Sequence, residues 1–265
     1  NIYLKMRDRF ANSFLLESSD YRGGENSFSY VCCQPVASFK LHQDMVTTVF
    51  PDGEMQTQKL NDRKEALTLL GDFINAFDQD EETTYISSGL FGYMAYDAAQ
   101  YFEDVDFSNN NNNGYDIPEI FYQVFKYVIA INHYKNDLYI YQNNLQGKDD
   151  PEGFREFKYL LKSKNYPVYN FSYSDEENSN YDDGEFLEVV KKCQEHCFRG
   201  DVFQIVPSRR YEKQYTGDDF NVYRALRSIN PSPYLFYFDY GNFKLFGSSP
   251  ETQIFIGNGK ASIYP

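Results

Sequence analysis

Apolar residues recur with a period of two over much of this chain, and this alternation is the feature that most restricts its fold. It runs through residues 13–20, 28–42 and 44–53, the last of which closes in a Pro-Asp-Gly turn. Alternation of this kind predicts strands with one buried face, and such a turn is typical of strand ends. Further along, residues 120–134 and 137–144 predict a β-hairpin.

Helical periodicity interrupts the strands in several places. The predicted helices cover residues 61–75, 151–163, 183–199 and 218–229, and the stretch 89–104 is expected to begin as strand or turn and continue as helix. The clearest helix is 183–199, because Asp182 and Glu185 have the spacing of a capping box and Gly200 follows its last turn. Later strands are predicted within 233–240, 243–249, 252–257 and 260–264. Helices placed between groups of strands predict an α+β fold.

The composition excludes some classes of partner. Among 265 residues there are 25 Tyr and 24 Phe, enough aromatic side chains to fill a core, and the formal net charge is −14. Nucleic acids and anionic membranes bind clustered Lys and Arg, so neither is an expected partner. We find no apolar run of membrane-spanning length and no signal peptide, and the predicted location is cytoplasmic.

One polar segment predicts a division of the chain. Residues 172–183 carry many acids and amides and almost nothing apolar, which predicts a surface linker between regions 1–171 and 184–265. Residues 108–114 are a low-complexity, Asn-rich stretch expected at a loop tip. The chain ends inside a strand pattern, so we expect that the sequence stops short of the complete fold.

The four cysteines do not predict a disulfide framework. Cys32 and Cys33 are adjacent, and Cys193 and Cys197 lie one helical turn apart with His196 between them. A zinc site would need a second ligand pair at metal-site spacing, which the sequence lacks. We therefore expect buried, reduced thiols and no metal ligands.

Gln204 is the most unusual residue of the second half. It lies in the short apolar run 202–206, where Val202 and Val206 would share its face in a strand. A buried amide must find hydrogen-bond partners. Those partners are either neighbouring backbone, which makes Gln204 structural, or a ligand in a pocket.

Three other stretches allow a structural and a functional interpretation. The prolines of NPSPYLFY (230–237) hold the backbone extended, which suits a stiff strand entry or a preformed rim for a ligand. GSSPE ends in Glu251, an exposed loop residue or, if half-buried, a general acid with a raised pKa. In LLESSD, Glu17 and Ser18 belong either to a turn or to a site for a ligand's ammonium group.

Taken in order, LLESSD, GLFGYMAYD, GDVFQIVPSRR, NPSPYLFY and GSSPE followed by SIYP resemble the first part of the component I family of anthranilate synthases, within the chorismate-utilising enzymes. The resemblance implies an α+β fold of orthogonally packed antiparallel β-sheets flanked by helices, incomplete in this chain. Residues 1–171 would form the N-terminal region with the LLES element. Residues 184–265 would form the first part of the chorismate-binding domain.

The resemblance also implies a reaction. In the family, ammonia supplied by a glutamine amidotransferase subunit adds to C2 of chorismate with loss of the C4 hydroxyl, and elimination of pyruvate gives anthranilate. Glu251 matches the general acid that protonates the departing hydroxyl. Mg2+ binds the substrate carboxylate, but the family's metal ligands correspond to positions beyond residue 265, so this chain alone is expected to be inactive.

Two further sets of roles follow from the resemblance. Relatives that add water to C2 carry a lysine base at the position of Gln204, so an amide there is expected to mark an enzyme that adds ammonia. The end product tryptophan inhibits the family at a site between LLES and NPSPY. The matching positions are Glu17, Ser18, Pro233, Tyr234 and Leu235.

Two alternatives remain open at this point. Aminodeoxychorismate synthase component I, of the folate pathway, shares most of these blocks, although LLES favours the tryptophan enzyme. The residue that separates the two families lies two positions beyond Pro265. A non-catalytic amino-acid-binding module is the alternative from a different functional class.

Overall fold

A computed structural model describes residues 1–18, 27–77, 85–107, 115–144, 149–257 and 259–263. Its helices are α1 (Ile2–Met6), α2 (Glu65–Asn75), α3 (Pro151–Lys162), α4 (Asp183–Arg199) and α5 (Phe220–Ile229), and a 3-10 helix spans Tyr96–Tyr101. Its strands are β1 (Phe14–Glu17), β2 (Phe28–His42), β3 (Met45–Val49), β4 (Met55–Lys59), β5 (Phe91–Met94), β6 (Ile120–Asn132), β7 (Asp137–Gln142), β8 (Phe171–Ser179), β9 (Tyr211–Gly217), β10 (Tyr234–Asp239), β11 (Lys244–Ser249), β12 (Phe255–Gly257) and β13 (Lys260–Ser262). The Asn-rich stretch 108–114 lies outside the described residues.

Helix α4 has the termini that its sequence predicts. The Glu185 amide donates to Asp182 Oδ1 at 2.8 Å, and the Asp182 amide donates to Glu185 Oε2 at 2.9 Å. Gly200 ends the helix in the left-handed conformation, with φ 80°. Helix α1 was not predicted, because five residues are too few to show helical periodicity.

The described residues divide into two compact units, which are Asn1–Pro167 with Leu226–Pro265, and Val168–Ala225. The first unit contains a nine-stranded sheet in which the order β11-β10-β1-β2-β3-β4 is extended by β6, which pairs with β2, β5 and β7. Every pairing in this sheet is antiparallel. The predicted α+β class with antiparallel strands is therefore confirmed.

Strand β2 lies at the centre of this sheet, and a bulge divides it into two parts with different neighbours. The register with β6 shifts between Pro35 and Ala37, and Gln34 has a φ of 61°. Proline cannot donate a ladder hydrogen bond and is tolerated at such a bulge. Residues before the bulge pair with β1, and residues after it pair with β3.

Among the described residues, two apolar clusters stabilise the first unit. One forms where α2 and the 3-10 helix pack on the sheet, and it includes Phe39, Leu41, Leu70, Phe73, Tyr101 and Ile120. The other joins the two ends of the chain and includes Phe14, Cys32, Phe91, Phe125, Val128, Phe238 and Tyr240. The second cluster fixes β1 and β10 side by side, which determines the geometry of the site described below.

The predicted linker at 172–183 is wrong over most of its length. Residues 171–179 form β8, which pairs with β9 in the second unit. Polar cross-strand contacts stabilise this ribbon, such as Ser172 Oγ to Thr216 Oγ1 at 2.7 Å and Lys213 Nζ to Glu177 Oε2 at 3.7 Å. Polar composition predicted a linker because the pairing of two exposed strands has no apolar signal.

The thiols follow the prediction only in the first half of the chain. Cys32 and Cys33 are free and buried, and burial raises the pKa of both thiols. Cys193 is half-buried and Cys197 is exposed, so the expectation of buried thiols is wrong for Cys197. No side chain of α4 is buried within the described residues, and this leaves its apolar stripe only partly covered.

Candidate functional site

Strands β1 and β10 bring the LLES and NPSPY elements together. They pair in antiparallel register with Glu17 opposite Leu235, and β11 continues the sheet with Ser248 opposite Leu235. Directly opposed residues place their side chains on the same face of a sheet. Glu17 and Leu235 therefore face the same side, with Leu235 only 2% exposed.

Glu17 is charged, largely covered and paired. Its side chain is 12% exposed, and its Oε1 lies 3.4 Å from Nη2 of Arg227, near the end of α5. Its neighbour Ser18 is half-buried, with its amide donating to the Phe28 carbonyl at 2.7 Å. Sequence reasoning missed Arg227, although a cation in the last helical turn before NPSP was a usable signal.

Tyr234 differs from the other predicted inhibitor residues in its orientation. As the strand neighbour of Leu235 it directs its ring to the opposite face, where its hydroxyl contacts Thr252 Oγ1. Pro233 is half-buried at the entry of β10. The structure thus places Glu17 and Leu235 on one face, and of Tyr234 only the backbone can line that side.

Hydrogen bonds from Ser248 hold the proline-rich segment in place. The Ser248 hydroxyl donates to the carbonyl oxygen of Asn230 and lies 2.8 Å from the Ser232 hydroxyl. The Ser232 side chain is 4% exposed. The segment between α5 and β10 is therefore fixed to the sheet, which fits a stiff strand entry as well as a preformed rim for a ligand.

Glu251 lies just beyond β11, after Pro250. Its side chain is exposed, and its amide donates to Ser249 Oγ at 3.3 Å. The half-buried pocket predicted for Glu251 as a general acid is not formed by the described residues. The contact between Thr252 and Tyr234 nevertheless fixes this corner to the start of β10.

The structure contradicts the strand predicted around Gln204. Residues 202–206 form no strand, Gln204 is exposed, and the Phe203 side chain is fully exposed. In the second unit β8 pairs with β9, and no described strand adjoins 202–206 to accept its backbone hydrogen bonds. The β-forming residues of 202–206 are therefore not sufficient to make this segment a strand. Gln204 and Glu251 belong to different units.

The described residues offer no metal centre. No group of three or more His, Cys, Asp and Glu side chains in that part of the chain is placed to hold an ion. These residues therefore do not fit Mg2+. Separately, every described helix is too short or too polar to span a lipid bilayer.

Comparison with known proteins identifies the fold first. A crystal structure of anthranilate synthase component I from Streptococcus pneumoniae TIGR4 superposes with a TM-score of 0.70 and 22% identity, over 88% of this chain and 52% of that one. The two chains thus share one fold over most of the present chain. A sequence profile described as chorismate binding enzyme matches residues 13–265, and the chain belongs to this family.

Several relatives carry a more specific name. Anthranilate synthase component 1 of Aquifex aeolicus is 29% identical over 100% of this chain and 55% of its own length. The component 1 protein of Neisseria meningitidis serogroup B is 30% identical over 96% of this chain and 53% of its own length. A chloroplastic alpha subunit from Arabidopsis thaliana is 29% identical over 99% of this chain. The chain spans about half the length of the curated relatives it matches.

Proposed function

We propose that the chain is part of the large subunit of an anthranilate synthase, which converts chorismate and ammonia to anthranilate and pyruvate in tryptophan biosynthesis. The pairing of β1 with β10 carries this proposal, because it sets Glu17 of LLES opposite Leu235 of NPSPYL. The names of the relatives support it. Incubation of the intact enzyme with chorismate, ammonia and Mg2+ is expected to release fluorescent anthranilate. A product aminated at C4 would contradict the proposal and favour the folate-pathway enzyme.

The chemistry proposed for Glu251 is proton donation. As ammonia bonds to C2, the double bond shifts and the C4–O bond breaks, so the Glu251 carboxyl protonates the leaving hydroxyl, which departs as water. Hydroxide leaves poorly without such a proton, which is the purpose of a general acid. The exposed position of Glu251, fixed through Ser249 and Thr252, leaves the carboxyl accessible to a substrate.

The role proposed for Gln204 rests on the family resemblance, because the described residues leave its side chain exposed. Ammonia is nucleophilic in its neutral form and needs no base, whereas water does. A lysine at this position is therefore expected to activate water.

A Gln204→Lys variant of the intact enzyme is expected to release some product hydroxylated at C2 in addition to anthranilate. Chromatography of the products after incubation with chorismate measures the ratio of the two. Gln214→Lys, which adds the same charge at an exposed position of β9, serves as the control. If the Gln204→Lys enzyme forms no hydroxylated product, the proposed role is wrong.

We further propose that tryptophan inhibits this enzyme through the β1–β10 site and that a glutamine amidotransferase subunit supplies its ammonia. The component 1 names of the relatives support a second component. The carboxylate of Glu17 is suited to bind the ammonium group of an amino acid by a charge-assisted hydrogen bond.

Titration of tryptophan into the 265-residue chain is expected to give saturable heat in a calorimeter. Both strands of the site lie within the first unit, so the 265-residue chain contains both elements of the proposed site. Circular dichroism confirms folding of the same sample, and histidine serves as the control amino acid. A folded chain that gives no heat at millimolar tryptophan rules out this inhibitor site.

A further inference from the structure

Glu17 and Arg227 form an ion pair in which the carboxylate is more buried than the guanidinium group. The Glu17 side chain is 12% exposed, while the Arg227 side chain is 53% exposed. Glu17 Oε1 lies 3.4 Å from Nη2 of Arg227, which is longer than an ideal charged hydrogen bond. The guanidinium therefore keeps donors available on its exposed side.

Arg227 is held close to the predicted inhibitor elements by the chain that follows it. Helix α5 ends at Ile229, and the next residues form the segment that Ser248 fixes by its contacts with Asn230 and Ser232. This segment leads directly into β10, where Leu235 opposes Glu17. The positions of Arg227, Glu17 and Leu235 are thus coupled through one anchored stretch of chain.

The residues matched to the inhibitor site by resemblance include no cation that could bind the carboxylate of the ligand. A free α-amino acid carries an ammonium group and a carboxylate at neutral pH. Glu17 suits the ammonium group, but Ser18, Pro233, Tyr234 and Leu235 supply no cation for the carboxylate. A guanidinium group binds carboxylates through a planar fork of donors, and Arg227 presents one beside Glu17.

We propose that Arg227 binds the carboxylate of the amino acid while Glu17 binds its ammonium group, so that the pair selects a zwitterion over a simple amine or a simple acid. The proposal rests on the inhibitor site proposed above and adds its specificity-determining residue. Without ligand, the two side chains neutralise each other. With ligand, each turns toward the complementary charge of the amino acid, and no covalent step is involved.

Calorimetric titration of the 265-residue chain with tryptophan, tryptamine and indole-3-propionate tests this inference. Arg227→Ala is expected to weaken tryptophan binding by about tenfold or more, because a charged hydrogen-bond partner is lost. The same change is expected to leave tryptamine binding equal or stronger, because Glu17 loses a competing cation. Glu17→Gln is expected to weaken the binding of both ligands.

Two further variants serve as controls. Arg224→Ala removes the same charge one turn earlier in α5 and is expected to bind tryptophan as the unaltered chain does. Arg227→Gln keeps most of the aliphatic stem and is expected to reproduce the loss if Arg227→Ala is poorly folded.

The results distinguish failure of the role proposed for Arg227 from failure of the proposed inhibitor site. If the unaltered chain binds tryptophan and the Arg227 variants bind it as tightly or more tightly, Arg227 is only a competing cation and the inference is overturned. If the folded, unaltered chain binds no tryptophan, the inhibitor site itself is refuted, and the inference with it.

Discussion

Replacement of Phe14 by alanine is expected to lower the free energy of unfolding by about 3–5 kcal/mol, the usual cost of removing a buried phenyl ring. The Phe14 side chain is fully buried. Its ring centroid lies 4.9 Å from that of Phe125, 4.5 Å from that of Phe238 and 4.9 Å from that of Tyr240. The cavity would open where the two ends of the chain meet, and this site is too crowded with rings to collapse fully.

Urea unfolding followed by circular dichroism measures this effect. Phe14→Leu keeps most of the volume and is expected to lose less stability than Phe14→Ala. Met55→Ala is the control, since that side chain is 67% exposed and its loss is expected to change little. Equal unfolding midpoints for the Phe14→Ala and unaltered chains would contradict the assigned core.

The second large effect concerns catalysis. Glu251→Gln in the intact enzyme is expected to lower kcat by about 100-fold or more, because an amide cannot protonate the leaving hydroxyl. The substitution preserves the shape of the side chain, and the side chain is exposed, so stability is expected to stay the same. Continuous recording of anthranilate fluorescence at saturating chorismate gives kcat.

Glu54→Gln is the matched control for this experiment, because Glu54 is an exposed acid at a turn. It is expected to retain the unaltered kcat. Tryptophan binding by both variants should also be unchanged, since neither residue belongs to the proposed inhibitor site. A Glu251→Gln enzyme with normal turnover would remove Glu251 from the mechanism.

Local signals in the sequence predicted local structure well. The cap of α4 was predictable because Asp182, Glu185 and Gly200 act within one or two helical turns. The hairpin of β6 and β7 was predictable because few residues separate its strands. The pairing of Glu17 with Leu235 joins opposite ends of the chain, and periodicity carries no information on such a partner. Only the resemblance to a family indicated that these two elements meet.

Prediction from the sequence failed for segments whose structure depends on pairing with another element. The run around Gln204 has β-forming residues, yet without an adjoining strand in the described part of the chain it forms no strand and stays exposed. Residues 171–179 are polar, yet they form a strand because β9 lies beside them. The contact of Arg227 with Glu17 also depends on the pairing of distant strands, although the position of Arg227 just before NPSP was a usable signal.

The division of the first unit into two stretches of chain affects the order of folding during synthesis. Strand β1 is made near the beginning, whereas β10 and β11 follow only after the entire second unit has been made. Until then, β1 lacks one of its two neighbours, and contacts between distant parts of a chain form slowly. The chain must therefore leave the ribosome as far as Leu235 before Glu17 can pair with it, so the proposed regulatory site forms later than the pairing of β1 with β2.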